Sequence, residues 1–168
     1  AQNYTLQDHL FEPNASWSLP QHLYMVSEWS AKCSSASDPQ SCINALQSPG
    51  TPPDQKGNKT RTPPAYAWTD LTYLMHKDNV AWKYYVQTGT EPDCSNDAAD
   101  CPPVNQNATT PGIWNPLPFF TTVKQDNQLQ NITGVSHFYE DARNGKLPAV
   151  SWITPSGPNS EHPPGLVS

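Results

Sequence analysis

No run of basic residues occurs anywhere in this chain: nine Lys and Arg are scattered among 15 Asp and Glu, for a formal net charge of −6. Proteins that hold nucleic acid set a cluster of cations against the phosphates, so no nucleic-acid partner is expected. Long apolar runs are missing as well. Nothing approaches the roughly 20 residues that cross a bilayer, and residues 1–10 lack the basic start and apolar block of a signal peptide. No transmembrane segment is expected, and the chain reads as a piece cut from something longer. Hydrophobic residues make up only 35% and the mean hydropathy is −0.70, while 19 prolines favour long irregular connections. Disorder does not follow, because 6 Trp, 7 Tyr and 4 Phe supply the large apolar side chains that disordered chains lack. One core, interrupted by large loops, is the expectation.

The four cysteines fall as Cys33 with Cys42 and Cys94 with Cys101, each pair in a polar stretch rich in Asp, Ser and Pro. Neither spacing is that of a zinc knuckle or a redox Cys-x-x-Cys. Two local disulfides pinning surface loops, in a secreted or periplasmic setting, is one reading; four unpaired thiols in a cytosolic protein is the other. Asn-x-Ser/Thr sequons at Asn3, Asn14, Asn58, Asn107 and Asn131 suit a secreted glycoprotein.

Three segments carry regular patterning. In the first, Ser18 is placed to cap a helix through Val26, with Pro20 tolerated in the first turn because N–H groups there have no intrahelical partner. In the second, Thr69 caps a short helix bearing Leu71, Leu74 and Met75, Asp78-Asn79 stops it, and Val80, Trp82, Tyr84 and Val86 alternate as a strand. The third repeats the design: a polar-capped helix through Arg143, a stop at Asn144-Gly145, then Ala149 to Ile153 as a near-continuous buried strand. Helix followed by strand, twice, predicts an α/β fold with a mainly parallel sheet. Residues 33–65 and 87–118, which hold both cysteine pairs and most of the prolines, read as loop insertions.

Two positions invite chemistry. A hydroxyl at Ser18 would face the N–H groups and positive dipole end of its helix, an anion site at which it attacks what the helix holds; the alternative is a plain cap. Ser160-Glu161-His162-Pro163-Pro164 follows a strand, where parallel sheets bind ligands, so His162 either meets a phosphate oxygen or leaving group or is a solvated loop residue. His22, one turn beyond Ser18, either orients that region or makes a structural hydrogen bond. His76 and His137 at helix ends, and His9, receive no role, and Trp68, Tyr73, Trp82, Tyr84 and Trp152 read as core.

The runs Asp8 to Glu12 and Ser16 to Ser27, then Thr69 to Leu74 with Val80 to Tyr85, then Leu147 to Pro155 with Ser160 to Pro164, occur in an order and spacing that resembles the phosphoesterase family of bacterial phospholipases C and acid phosphatases. The resemblance implies an alkaline-phosphatase-like three-layer α/β sandwich, here a single incomplete domain over 1–168. It also implies hydrolysis of phosphomonoesters or phospholipid-type phosphodiesters. The family nucleophile lies in a [S/T]-x-P-N segment, which places Ser18 as nucleophile and metal ligand, with Gln21 where the family has Asn. His162 falls on the family histidine of Glu-His-Pro, with Glu161 and His22 as substrate-binding companions. A divalent cation of unstated identity is implied, but the early Glu-Asn ligands and the later Asp-Asp pair have no counterpart here. Most ligands are therefore expected outside this chain, and the chain alone is expected to be inactive. A non-catalytic secreted binding module on the same fold is the competing reading.

Overall fold

The computed structural model describes residues 11–12, 15–50, 64–94, 98, 101–160 and 162. Helix α1, Ser18–Ser27, forms where Leu19, Leu23 and Val26 recur on one face, and all three are fully buried. It ends at Glu28, whose left-handed φ of 57° lets its N–H bond the Tyr24 carbonyl at 2.9 Å. Strands β1 (Ala31–Cys33) and β2 (Cys42–Asn44) follow as an antiparallel pair in which Cys33 stands opposite Cys42, and these two form a disulfide. Cys33 lies in the core rather than on a surface loop. The second predicted pair, Cys94–Cys101, is also a disulfide.

Helix α2, Leu71–Lys77, leads into β3, Trp82–Val86. A short hairpin, β4 (Gly89–Thr90) and β5 (Asn105–Gln106), precedes helix α3, Thr121–Gln125. Strand β6 (Ile132–Gly134), helix α4 (Val135–Arg143) and strand β7 (Val150–Thr154) complete the regular elements. The main sheet runs β6-β3-β7 with every pair parallel, the arrangement that the alternation of helix and strand predicts.

Strand β3 sits at the centre, and its neighbouring residues Tyr84 and Tyr85 are both fully buried. Adjacent strand residues point to opposite faces, so both faces of the sheet are covered. On one face, α4 packs on Tyr85: the tyrosine hydroxyl donates to Asp141 at 2.7 Å, and the Phe138 ring lies 5.3 Å away. Lys83 joins the same carboxylate at 2.5 Å, and these two partners hold the Asp141 carboxyl below its usual range. On the other face Trp82, Tyr84 and Val86 meet an aromatic core built from α1, Tyr66, Trp68, Ile113, Trp114, Phe119 and Phe120.

Local details depart from the sequence reading. The N-cap of α1 is Trp17, which gives no side-chain cap, and Ser18 is the first helical residue. Helix α2 is capped by Asp70 instead of Thr69, because a carboxylate accepts from two N–H groups at once: Thr72 at 2.8 Å and Tyr73 at 3.2 Å. Helix α4 begins after Gly134 with no polar cap. Strand β7 is half-buried, with Ile153 50% exposed, since it pairs only with β3 among the described strands. Within segment 87–118, Ile113, Trp114, Asn115 and Leu117 are buried.

Asp70 is 1% exposed and also accepts from the Thr72 and Thr122 hydroxyls, which ties α2 to α3. Asp70→Ala removes the cap and strands a buried hydroxyl, so unfolding in urea should show a loss of about 2–3 kcal/mol. A loss below about 0.5 kcal/mol would mean that water replaces the carboxylate.

Candidate functional site

The carboxyl ends of β3 and β7 are held together before the chain leaves them. Gln87 N–H donates to the Thr154 carbonyl at 2.9 Å, and the Gln106 amide donates to the carbonyls of Gln87 and Pro155 at 3.0 and 2.8 Å. Ser156 N–H returns to the Gln87 side chain at 3.0 Å. Gly89 is needed here because a Cβ on it would stand 2.8 Å from Ser156 Cβ. The hairpin after β3 and the turn after β7 therefore lie against each other, and each carries a polar residue toward α1.

From the hairpin comes Asp93, immediately before the disulfide-bonded Cys94. Its Oδ1 accepts from the Trp114 indole N–H at 2.8 Å, and its Oδ2 accepts from the Ser18 hydroxyl. The Ser18 hydroxyl is thus spent on a carboxylate 75 residues away, not on capping its own helix. Trp114 is fixed from its far side, where the buried Tyr84 hydroxyl donates to its carbonyl at 3.0 Å. Glu91 accepts from the neighbouring Ile113 N–H at 3.0 Å, and the Asn115 amide donates to the carbonyls of Ala108 and Thr110 at 3.3 and 3.2 Å.

The Trp114 indole also carries the two histidines. Its ring centroid lies 4.6 Å from that of His22 and 5.2 Å from that of His162. His162 Nδ1 stands 3.0 Å from the Ser160 hydroxyl. His22 Nδ1 is sealed from solvent with no hydrogen-bond partner among the described residues, and burial, assisted by nearby His162, pushes its pKa down to about 4. Ser18, His22 and His162, which the sequence singles out, are thereby gathered around Trp114 with Asp93. Glu161 lies outside the described residues. Asp93 and Trp114 escape the sequence reading because they sit in a stretch that looks like a polar, proline-rich loop. The apolar run Ile113-Trp114 with Leu117, Phe119 and Phe120 was the available signal that this loop enters the core.

A helix N-terminus, a hydroxyl bonded to a carboxylate, and two imidazoles on one indole suit attack on, and proton transfer to, an anionic ester. The family model described as the phosphoesterase family matches residues 1–168. The chain belongs to that family. Comparisons with curated proteins and with solved structures give no match. At family level the chemistry of this phosphoesterase is hydrolysis of phosphoesters.

The divalent cation that the resemblance implies can be tested against the donors present. Among the described residues no three His, Cys, Asp or Glu side chains form a metal-binding group. The phosphoesterase cluster offers one hydroxyl and one carboxylate at Ser18, whereas a hard divalent cation takes about six oxygens. The described donor set does not fit such an ion. A cavity of about 490 Å3, lined by His76, Trp82, Lys83 and Lys146 among others, shares no residue with the cluster. No helix is long and apolar enough to cross a membrane among the described residues.

The low pKa of His22 makes stability depend on pH. An imidazole in the unfolded chain titrates near 6.5 and the buried one near 4, so between those values the unfolded state binds the extra proton. Stability is therefore unaffected above about pH 6.5 and falls as pH drops toward 4, by at most roughly 1.4 kcal/mol per unit. The urea midpoint of the wild type should decline more steeply between pH 7 and pH 5 than that of His22→Asn. Equal slopes would show that His22 takes no part in the decline.

Proposed function

We propose that this chain carries the serine nucleophile and an acid-base imidazole of a secreted phosphoester hydrolase of the acid phosphatase or phospholipase C type. The observation that carries the proposal is the setting of Ser18. Its hydroxyl lies in the first turn of α1, donates to Asp93, and belongs to the same cluster as His162. N–H groups in a helix's first turn have no partner within the helix, so a phosphoryl group docked there meets donors and the positive dipole end. Ser18 Oγ attacks phosphorus, His162 protonates the departing alcohol oxygen, and water then releases phosphate from the phosphoserine. His22 and, from outside the described residues, Glu161 line the substrate.

A divalent ion bound by Ser18 would offset phosphate charge, and its remaining ligands would have to come from beyond the described residues. The two disulfides support an oxidising compartment, and with it secretion or a periplasmic location. The alkaline-phosphatase-like architecture is supported by the parallel sheet covered on both faces.

The test is Ser18→Ala in the full-length protein, assayed with a chromogenic phosphate monoester and with a phosphocholine diester. Turnover of whichever ester the wild type cleaves should fall by roughly 10³-fold or more. Wild-type turnover in the variant would remove Ser18 from the reaction.

A further inference from the structure

We propose that the cavity at the amino ends of the parallel strands is a binding site for an amphiphilic anion, a ligand with one acidic head and a short apolar chain. This site needs no role for Ser18, whose cluster lies beyond the opposite ends of the same strands.

Its position follows from topology. Trp82 begins β3, Asn131 precedes β6 and Pro148 precedes β7, and all three line the cavity of about 490 Å3. Helices α2 and α4 reach this end of the sheet by their carboxyl termini. Each turns toward its strand at a left-handed residue, Asn79 with φ 57° and Gly145 with φ 63°. The two turns come side by side because β3 and β7 are neighbours, with the Val150 N–H on the Ala81 carbonyl at 3.2 Å. The volume falls within the range of about 300–1,000 Å3 typical of clefts for small organic ligands.

Its chemistry follows from the walls. Lys83, Lys146 and His76 line the cavity, and no Asp or Glu does among the described residues. Lys83 is committed to Asp141, but Lys146 makes no ion pair among the described residues. These nitrogens gather on one cavity of a chain whose net charge is −6. His76 and Lys146 also stand near helix carboxyl ends, where cations are favoured in any case. What the helix ends do not account for is the apolar surface beside them: Val80 and Leu147 line the same cavity and are 37% and 43% exposed. Trp82, 3% exposed, adds a third apolar wall, and its indole N–H has no acceptor among the described residues. A buried donor in that state is costly, and the oxygens of an acidic head bring acceptors to this wall. An inorganic anion leaves the apolar walls in water, and a neutral chain leaves Lys146 without a counter-charge. A ligand that joins the two satisfies both.

The experiment follows binding of octane-1-sulfonate to the full-length protein by titration calorimetry, below the micelle concentration and without substrate. Saturable one-to-one binding is expected, weakened roughly tenfold or more in Lys146→Glu and in Val80→Asp and unchanged in Ser18→Ala. Sodium sulfate and octyl glucoside, which carry the charge and the chain separately, should each bind roughly tenfold or more weakly than the sulfonate. Lys146 and Val80 are exposed, so both variants should keep the wild-type thermal melt; should either unfold, the other variant and the two divided ligands decide. No saturable binding overturns the proposal, and so does binding that ignores both substitutions. Loss of binding in Ser18→Ala overturns it too, since the ligand would then lie at the Ser18 cluster. Equal binding by sulfate or by octyl glucoside overturns it as well, because one half of the ligand would then suffice.

Discussion

The hydrogen bond from Tyr84 to the Trp114 carbonyl joins the fold to the site. Tyr84 lies on the central strand with no exposure, and burial pushes its hydroxyl well above the usual tyrosine range. A hydroxyl buried there without a partner would cost about 1–3 kcal/mol. Its carbonyl partner comes from residue 114, so the long segment after β3 must return to the sheet at this point. Once it does, the indole ring lies 4.6 Å from that of His22 and 5.2 Å from that of His162, and its N–H reaches Asp93. A core requirement thereby sets the direction of the Asp93 carboxylate beside Ser18.

That dependence explains how the described residues of a segment so rich in proline and polar side chains are held. Long connections within a compact chain tend to be working parts, and this one is tied to itself and to the sheet by side-chain amides. Gln106 spans the diverging ends of β3 and β7, and Asn115 closes the turn that follows Asn107. The Cys94–Cys101 bridge closes the short stretch beside Asp93. Three distant regions, the start of α1, the hairpin after β3 and the turn after β7, meet where a parallel sheet leaves room beyond its carboxyl ends.

How much of this is legible in the sequence follows from which signals are local. Helix α2 with β3, and α4 with β7, announce themselves because helical and strand periodicities alternate, and parallel pairing follows from that order. That β7 has one neighbour among the described strands does not, since Val150 to Ile153 look the same whether one neighbour or two are present. Caps slip by one residue where adjacent side chains both qualify, as Thr69 and Asp70 do, and ionic acceptance decides for Asp70. Ser18, His22 and His162 are visible through a family pattern and helix spacing. Asp93 is not, because Glu91-Pro92-Asp93-Cys94 has the composition of a solvated turn and only the return of Trp114 gives its carboxylate a fixed direction.

The two imidazoles on the Trp114 ring differ for a reason that bears on the proposed reaction. Protonating both would place two positive charges beside one indole, and burial disfavours the charge at His22. Burial chooses against His22: a cation there would sit with a sealed Nδ1 and no acceptor, and the group stays neutral down to about pH 4. His162 instead has the Ser160 hydroxyl and carbonyl within 3.0 and 3.2 Å, acceptors that suit a ring N–H donor. In the proposed hydrolysis His22 therefore meets the indole without charge, which leaves His162 as the imidazole for the leaving group.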